Sequence, residues 1–431
     1  MRSLVSLAAR LGCPAPEEFL FHKAIIDSRE AVPGALFFAL AGSRADGHRF
    51  VPEVLGAGGA AVVSEGGFTG NVLEVDSVEG ALLEAGAWAR EPMGCPVVGV
   101  TGSSGKTTTR KMLAQALSVK FNTAQTKGNL NNHLGVPLTL LNTPDDAEFL
   151  VLEMGMNHHG ELLKLGWAAK PDHALITNIG RAHMEFFESI EGIAHAKAEM
   201  LETTAPGGIA VLPAGEEILL KVAGEKELEI ITHGEDGDCW LDGMYGMPWG
   251  IRLELGYAGC HNMMNAVSAI AFAERMGIEP RDAFNAIAAL NPSDGRGARF
   301  LWRNRTVFDE SYNANPDSTA ACLRAVAAES REPLAAVLGD MLEMGNRAVD
   351  YHKEILMSAS EEGYEHLILV GKNYAQAAKD ISLPSVILAE DWQEALELLK
   401  ANVPDKCRIL VKGSHSTGLE KLVAQIRKEG V

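Results

Sequence analysis

Long apolar runs are missing from this 431-residue chain. No stretch reaches the roughly 20 residues that a helix needs to cross a bilayer. The opening MRSLVSLAARLGC is too short and too broken for a secretory apolar segment. Its spacing predicts a short amphipathic helix instead. Runs of Lys or Arg are missing too, and the formal net charge is -19. That balance excludes a general nucleic-acid binder, which needs a basic face. It leaves a phosphorylated small substrate open, because backbone N–H groups and a few local cations can hold phosphate. Paired cysteines are also absent. Cys13, Cys95, Cys239, Cys260, Cys322 and Cys407 are scattered, with no C-x-x-C spacing. Neither a zinc motif nor a disulfide framework is indicated, and scattered thiols fit a reducing cytoplasm. The chain shows no internal repeat, no low-complexity tract and no long exposed apolar helix, so a monomer is expected.

What remains is a globular composition, 47% hydrophobic and 22% charged, long enough for about three domains. The 44 glycines suit an α/β protein with many tight turns. A first section, 1–92, carries ALFFAL (35–40) and AAVVSE (60–65) as strands and ends in a helix containing Ala85 to Ala89. A second, 93–297, opens on PVVGVTGSSGKTTTRKML and continues with EFLVLEMG (148–155) and HALITNIG (173–180). A third, 298–431, has strand candidates TVFDES (306–311), PLAAVLGD (333–340), HLILVG (366–371), SVILAE (385–390) and RILVKG (408–413). Strands alternating with helices predict parallel sheets covered on both faces.

The strongest single signal is Gly102-Ser103-Ser104-Gly105-Lys106-Thr107-Thr108, between a strand and a helix. Glycines let the backbone wrap phosphate oxygens, and N–H groups at the helix N-terminus point at them. Lys106 can neutralise β/γ charge, and the Thr107 hydroxyl can ligand Mg²⁺. The common eight-residue loop wants Gly at position 100, which is Val here, so the pattern is a shorter T-G-x-x-G-K-T-T. Downstream, Glu153 ends an apolar strand, where a carboxylate beside a phosphate is a natural Mg²⁺ ligand. It competes with a plain solvated Glu. His183 follows a predicted strand. Lys197, taken alone in GIAHAKAEML, reads as an ordinary surface lysine.

The short loop resembles that of the Mur ligase family, which includes the folylpolyglutamate synthetases. Further segments occur in that family's order: TKGNLNNHLGVPLTLL (126–141), EMGMNHHGE (153–161), TNIGRAHMEFF (177–187), AKAEM (196–200), HNMMNA (261–266), DESYNANPDS (309–318), LGDMLEMG (338–345) and VKGS (411–414). DSREAVPGALFFALAGSRADGH (27–48) joins them. Within the family the chain looks like the branch that adds D-alanyl-D-alanine, with GNLNN and SYNANP the most discriminating segments.

The resemblance implies a three-domain α/β fold. A small mixed N-terminal domain holds UDP substrate, a central P-loop domain has a mostly parallel sheet, and a C-terminal domain is Rossmann-like. It implies ATP, two Mg²⁺ and carbamylation of Lys197. The substrates implied are UDP-N-acetylmuramoyl-tripeptide and D-alanyl-D-alanine, joined through an acyl phosphate. Lys106 and the loop would hold ATP, Thr107 and Glu153 one Mg²⁺, and His183 with Lys197 a second. Asn265, Arg296, Asp309, Asn313 and Asn315 would reach the nucleotide. Ser28, Arg29, Asp46, Gly47 and His48 would lie near the UDP part, and Thr126, Asn129, Asn131 and Asn132 would face the substrate. Two departures stand out. His415 takes the place of the Arg that commonly follows VKGS, and 214–257 is shorter than usual, which trims a peripheral part of the central domain. A sister ligase adding one amino acid, a polyglutamate ligase, and a nucleotide-dependent scaffold without chemistry are the alternatives.

Overall fold

The computed structural model describes residues 1–431 except 15, 43–44, 294, 330, 382–384 and 430–431. Ser43 and Arg44 of the N-terminal motif therefore lie outside the described residues. The opening segment forms the expected amphipathic helix, Leu4–Leu11, capped by the Ser3 side chain and closed by Gly12 at φ 69°. Next comes a four-stranded parallel sheet in chain order: Lys23–Ile25, Ala35–Phe38, Ala60–Val63 and Val72–Glu74. Ala35–Phe38 is buried on both faces, which explains its unbroken apolar run. Helix Val78–Arg90 covers one face, with Ser77 as its cap.

The central sheet has six parallel strands. Their spatial order is Glu229–His233, Ile209–Pro213, His173–Ile176, Val97–Thr101, Phe149–Glu153 and Thr123–Gln125. The chain enters in the middle, runs to one edge, returns beside its starting strand and then fills the other side. Ligands bind outside the carboxyl ends of strands where strand order reverses in this way. Val98 and Val100 face the core that contains Leu113 and Phe272. Val97, Leu150 and Leu152 face the core that contains Met200. This alternation is the period of two expected for a sheet with helices on both sides.

The short stretch 214–257 holds more than trimmed periphery. It supplies the edge strand Glu229–His233 and a small antiparallel sheet, Trp240–Asp242, Tyr245–Met247 and Ile251–Arg252. The small sheet packs on helix Cys260–Arg275 through Ile251, Leu253 and Val267. Its first turn is the two-residue loop Gly243-Met244, with Gly243 at φ 57°.

The third sheet also has six strands, in the order Ala298–Trp302, Arg305–Glu310, Arg408–Lys412, Leu334–Gly339, Tyr364–Val370 and Val386–Ala389. All five expected C-terminal strands are present. The sequence reading missed the antiparallel edge strand Ala298–Trp302. Its connection is a two-residue hairpin with Arg303 at φ 46° and Asn304 at φ 66°, the mirror-image turn that suits twisted strands.

Two contacts fix the first sheet to the central one. The Asn142 side chain accepts from the Ala24 N–H and donates to the Ala24 carbonyl, both at 2.8 Å, and so pairs the first sheet's edge strand. Gly86 lets helix Val78–Arg90 approach helix Gly135–Leu141, where an added Cβ would lie 2.5 Å from Pro137 Cβ. Gly86→Ala is therefore expected to force these helices apart and cost about 2 kcal/mol, read as a lower denaturation midpoint. An unchanged midpoint would show that the approach is slack.

Candidate active site

The strand Val97–Thr101 ends where the backbone turns sharply through Gly102, at φ 148°. A Cβ there would sit 1.8 Å from Thr177 Oγ1, so only glycine fits. Gly105, at φ 78°, starts helix Lys106–Leu117 with no side-chain cap. The first-turn N–H groups consequently have no intrahelical acceptor, and they form a positive end suited to an anion.

The loop is held from behind by the segment that follows strand His173–Ile176. Ser103 N–H donates to the Asn178 carbonyl at 3.0 Å, and Ser104 N–H donates to Asn178 Oδ1 at 3.0 Å. Thr177 Oγ1 donates to the Ser104 carbonyl at 2.6 Å. Ser103 Oγ also bonds both backbone groups of Gly180, at 2.9 Å each. Lys106 folds across the loop, its Nζ donating to the Gly102 carbonyl at 2.8 Å. Burial lowers the Lys106 ammonium's pKa and Glu153 partly restores it.

Glu153, the last residue of its strand, is 1% exposed, so it is not a solvated surface carboxylate. Its Oε1 accepts from Thr107 Oγ1 at 3.0 Å and from Asn131 Nδ2 at 2.8 Å, and its N–H donates to Thr126 Oγ1 at 2.9 Å. Its Oε2 is buried without a hydrogen bond. Arg110 Nε lies 3.2 Å from Oε2 as an ion pair, but it is not aligned to donate. An orphaned carboxylate oxygen beside a threonine hydroxyl is a fitting donor set for a hard divalent cation.

Lys197 corrects the surface reading. It sits on helix Ile190–Glu202 and is 1% exposed, with no ion pair among the described residues. Burial, assisted by the charge of Lys106, holds its amine well below the ordinary lysine range. His183, at φ 58°, is within electrostatic reach of both lysines. Its Nδ1 lies 2.6 Å from Glu343 Oε2. Burial lowers the His183 pKa, while the hydrogen bond from His183 lowers that of Glu343. Burial thus favours the neutral imidazole, and the carboxylate beside Nδ1 favours a proton on that nitrogen.

Lys106, Thr107, Glu153, His183 and Lys197 come from three strand ends and two helices at the carboxyl edge of one parallel sheet. Family models match almost the whole chain in order: Mur ligase family, catalytic domain over 21–85; Mur ligase middle domain over 100–273; and Mur ligase, glutamate ligase domain over 298–415. The chain belongs to the Mur ligase family. A Bacillus subtilis protein named UDP-N-acetylmuramoyl-tripeptide--D-alanyl-D-alanine ligase is 33% identical, over 96% of this chain and 95% of its own. An Escherichia coli protein of the same name is 32% identical, over 94% and 93%. The crystal structure of MurF from Acinetobacter baumannii superposes with a TM-score of 0.89 at 30% identity, covering 99% of both chains. MurF ligase from Thermotoga maritima in complex with ADP gives 0.84 at 26% identity, over 95% and 97%. The three-domain α/β fold expected from the sequence is the fold of these MurF structures.

Not every residue anticipated for this Mur ligase's site has a free side chain. Asn265 abuts the loop, 2.9 Å from where a Gly105 Cβ would be. Arg296 stacks 3.7 Å over the Tyr312 ring and acts electrostatically on Lys106. Asp309 instead braces the hinge, accepting from Gly295 N–H at 2.8 Å and Ser311 Oγ at 2.6 Å. Asn315 caps helix Pro316–Ala328, and Asn313 accepts from Ala314 N–H. Thr108 is buried on the loop helix. Asn129 is exposed, while Asn132 accepts from the Leu134 and Gly135 N–H groups.

In the first sheet's loops, Ser28 opens the short helix Ser28–Glu30, and Arg29 is exposed but chelated by Asp27. Asp46 caps Gly47–Phe50 and accepts from the buried His48, whose Nε2 accepts from Ser64 N–H. Gly47 leaves no room for a Cβ, which would fall 2.7 Å from the Leu40 carbonyl. His415 is exposed, its ring 6.0 Å from that of Tyr312. Sequence reasoning gave no part to Arg110, Thr177, Asn178, Arg181 or Glu343. A polar run directly after a parallel strand was the available signal for the middle three.

Arg110→Met is expected to leave Glu153 without the one cation paired with it among the described residues, and to destabilise the fold by about 3 kcal/mol in denaturant titration. A loss below ~1 kcal/mol would mean that Thr107, Asn131 and Lys106 already compensate the charge.

Proposed function

We propose that this Mur ligase joins D-alanyl-D-alanine to UDP-N-acetylmuramoyl-tripeptide, forming UDP-N-acetylmuramoyl-pentapeptide, ADP and phosphate. The reading is supported by near full-length likeness to relatives bearing that ligase's name and to a MurF structure holding ADP. The observation that carries the chemistry is the Thr107–Glu153 pair, with its orphaned oxygen, beside an uncapped helix and Lys106. We assign 1–92 to UDP-substrate binding, 93–297 to ATP and 298–431 to the closing ligase domain. The reading places the enzyme in the cytoplasm as a monomer. In support, all six cysteines are free and, among the described residues, no helix is long and apolar enough to cross a membrane.

A carboxylate is a poor electrophile, so the tripeptide's terminal carboxylate first takes the γ-phosphoryl group. The P–O bond to ADP breaks and an acyl phosphate forms. The dipeptide amine then attacks the acyl carbon, and phosphate leaves. The chain's contribution is positioning and charge. The loop amides and Lys106 hold the triphosphate. Thr107 and Glu153 would hold one Mg²⁺ and His183 would help hold a second; bound Mg²⁺ would neutralise charge on the phosphate oxygens. The Lys197 amine, buried and with its pKa driven well down, is suited to add CO₂ and become an anionic oxygen donor. Asn265 and Arg296 flank the nucleotide. Asp309, Asn313 and Asn315 shape the hinge side of its pocket. Ser28, Arg29 and the turn at Asp46, Gly47 and His48 frame the UDP group. Thr126, Asn129, Asn131 and Asn132 line the path of the peptide.

Lys106→Ala is expected to lower substrate-dependent ADP release on the order of a thousandfold. The same assay, run over a panel of UDP-linked peptides and amines, should single out D-alanyl-D-alanine. Full turnover in Lys106→Ala, or preference for a single amino acid, would refute the reading. Glu343 is a positioning residue in this scheme. Glu343→Gln keeps an acceptor for His183, whereas Glu343→Ala does not. Turnover is expected to fall roughly tenfold to hundredfold in Glu343→Ala and less in Glu343→Gln, with KM for the UDP substrate little changed. Equal behaviour of both variants and the parent would remove Glu343 from the mechanism.

A further inference from the structure

Away from the phosphate loop, three groups of differing chemistry converge where the central and C-terminal units meet. His261 lies in the first turn of helix Cys260–Arg275, Glu310 ends strand Arg305–Glu310, and Cys322 lies within helix Pro316–Ala328. One ligand atom from each falls within 4.8 Å of the other two. We propose that His261, Glu310 and Cys322 form a binding site for a thiophilic divalent cation of the zinc type, separate from the Mg²⁺ sites of the ligase reaction.

The donor set itself argues for this. Thiolate, imidazole and carboxylate together match zinc, which takes three protein ligands and an open fourth position. Mg²⁺, a hard ion wanting oxygen alone, is poorly served. A second observation is independent of that composition. Among the described residues, no hydrogen bond or ion pair engages the Glu310 carboxyl, although protein surrounds it closely. Cys322 is a buried free thiol with no hydrogen-bond partner among the described residues. The His261 ring is set by a 3.1 Å contact between its Nε2 and Asn262 Nδ2. A partly buried carboxyl without a hydrogen-bond or ion-pair partner is costly, and here it lies beside two other metal-binding groups.

Burial shifts all three toward their uncharged forms in the free protein. It pushes Glu310 up to about 7 and Cys322 up to about 12, and His261 down to about 4. A bound cation displaces the thiol and carboxyl protons and supplies the missing counter-charge. Lys412 and Arg324 act electrostatically on the cluster and weaken any cation there. Only an ion that gains strongly from a thiolate binds well, which sharpens selection against Mg²⁺. Occupancy ties the C-terminal sheet to the central helix that also carries Asn265.

The full-length protein, stripped with a chelator, is titrated with Co²⁺ as the probe. A thiolate-to-cobalt charge-transfer band saturating at one equivalent is expected. Cys322→Ala should abolish it while keeping the parent's circular dichroism. Cys260→Ser, at the exposed neighbour of His261, should leave it intact. Glu310→Gln should keep the band but raise the Kd for Co²⁺ on the order of tenfold or more. No band in the parent, an undiminished band in Cys322→Ala, or a band lost in Cys260→Ser overturns the site. If Cys322→Ala does not fold, an unchanged Kd in Glu310→Gln overturns it by itself.

Discussion

A carboxylate taken out of water is tolerated only when its lone pairs are met, and Glu153 organises its surroundings around that demand. Three segments converge on this one residue. The loop helix sends Thr107 and Arg110, the segment after strand Thr123–Gln125 sends Thr126 and Asn131, and the residue's own strand fixes its backbone. Asn131 also accepts from Gly155 N–H at 2.7 Å, so the chain beyond Glu153 is tied to the same segment. The loop, the 126–132 stretch and the strand end cannot shift independently without exposing or stranding that charge. One oxygen is still left over, and it points to where a cation is needed.

A second dependence runs from the phosphate loop into the C-terminal unit through a few consecutive residues. Thr177, Asn178 and Gly180 grip Ser103 and Ser104. Arg181 then binds Asp317 at 2.7 Å and also pairs with Glu354, with the Tyr351 ring beneath its guanidinium. His183 meets Glu343, and the Glu185 N–H donates to the Glu343 carbonyl. Exposed ion pairs of this kind are individually weak. Their significance is geometric: the strand of chain that shapes the loop also reads the position of the neighbouring unit. The orientation of His183 therefore depends on the neighbouring unit, because its carboxylate partner Glu343 belongs to the C-terminal unit.

The loop was legible in the sequence because strand, glycines and helix are consecutive and each obeys a local rule. Glu153 was legible as a strand end, although its burial was not. Lys197 was misread as surface, yet the signal was present. Ile193, Lys197 and Leu201 are four apart, and all three lie on the buried face of one helix. A lysine in an apolar stripe is the exception that periodicity can flag. The hairpin through Gly243 was also open to reading, since a glycine at the first position of a two-residue loop is a turn signal. The His183–Glu343 and Arg181–Asp317 pairs were not, being 160 and 136 residues apart. Nor could spacing reveal that the Asp309 and Asn315 side chains are consumed by backbone groups. A motif gives residue types in order, whereas hydrogen-bond partners depend on which turn each residue occupies.

Lys106 and Lys197 raise a final question of charge. Two enclosed ammonium groups within reach of each other repel, and burial together with that repulsion drives the Lys197 pKa well down. A neutral amine in the interior adds nothing to packing that a methionine could not, so its retention calls for chemistry rather than stability. The proposed addition of CO₂ would supply that chemistry. The new N–C bond and loss of a proton turn a neutral group into an anion, and repulsion from Lys106 becomes attraction. On this argument the same enclosure that suppresses the ammonium form favours the carbamate. Lys106 then serves twice, as counter-ion to Lys197 before nucleotide arrives and as partner to the phosphates afterwards.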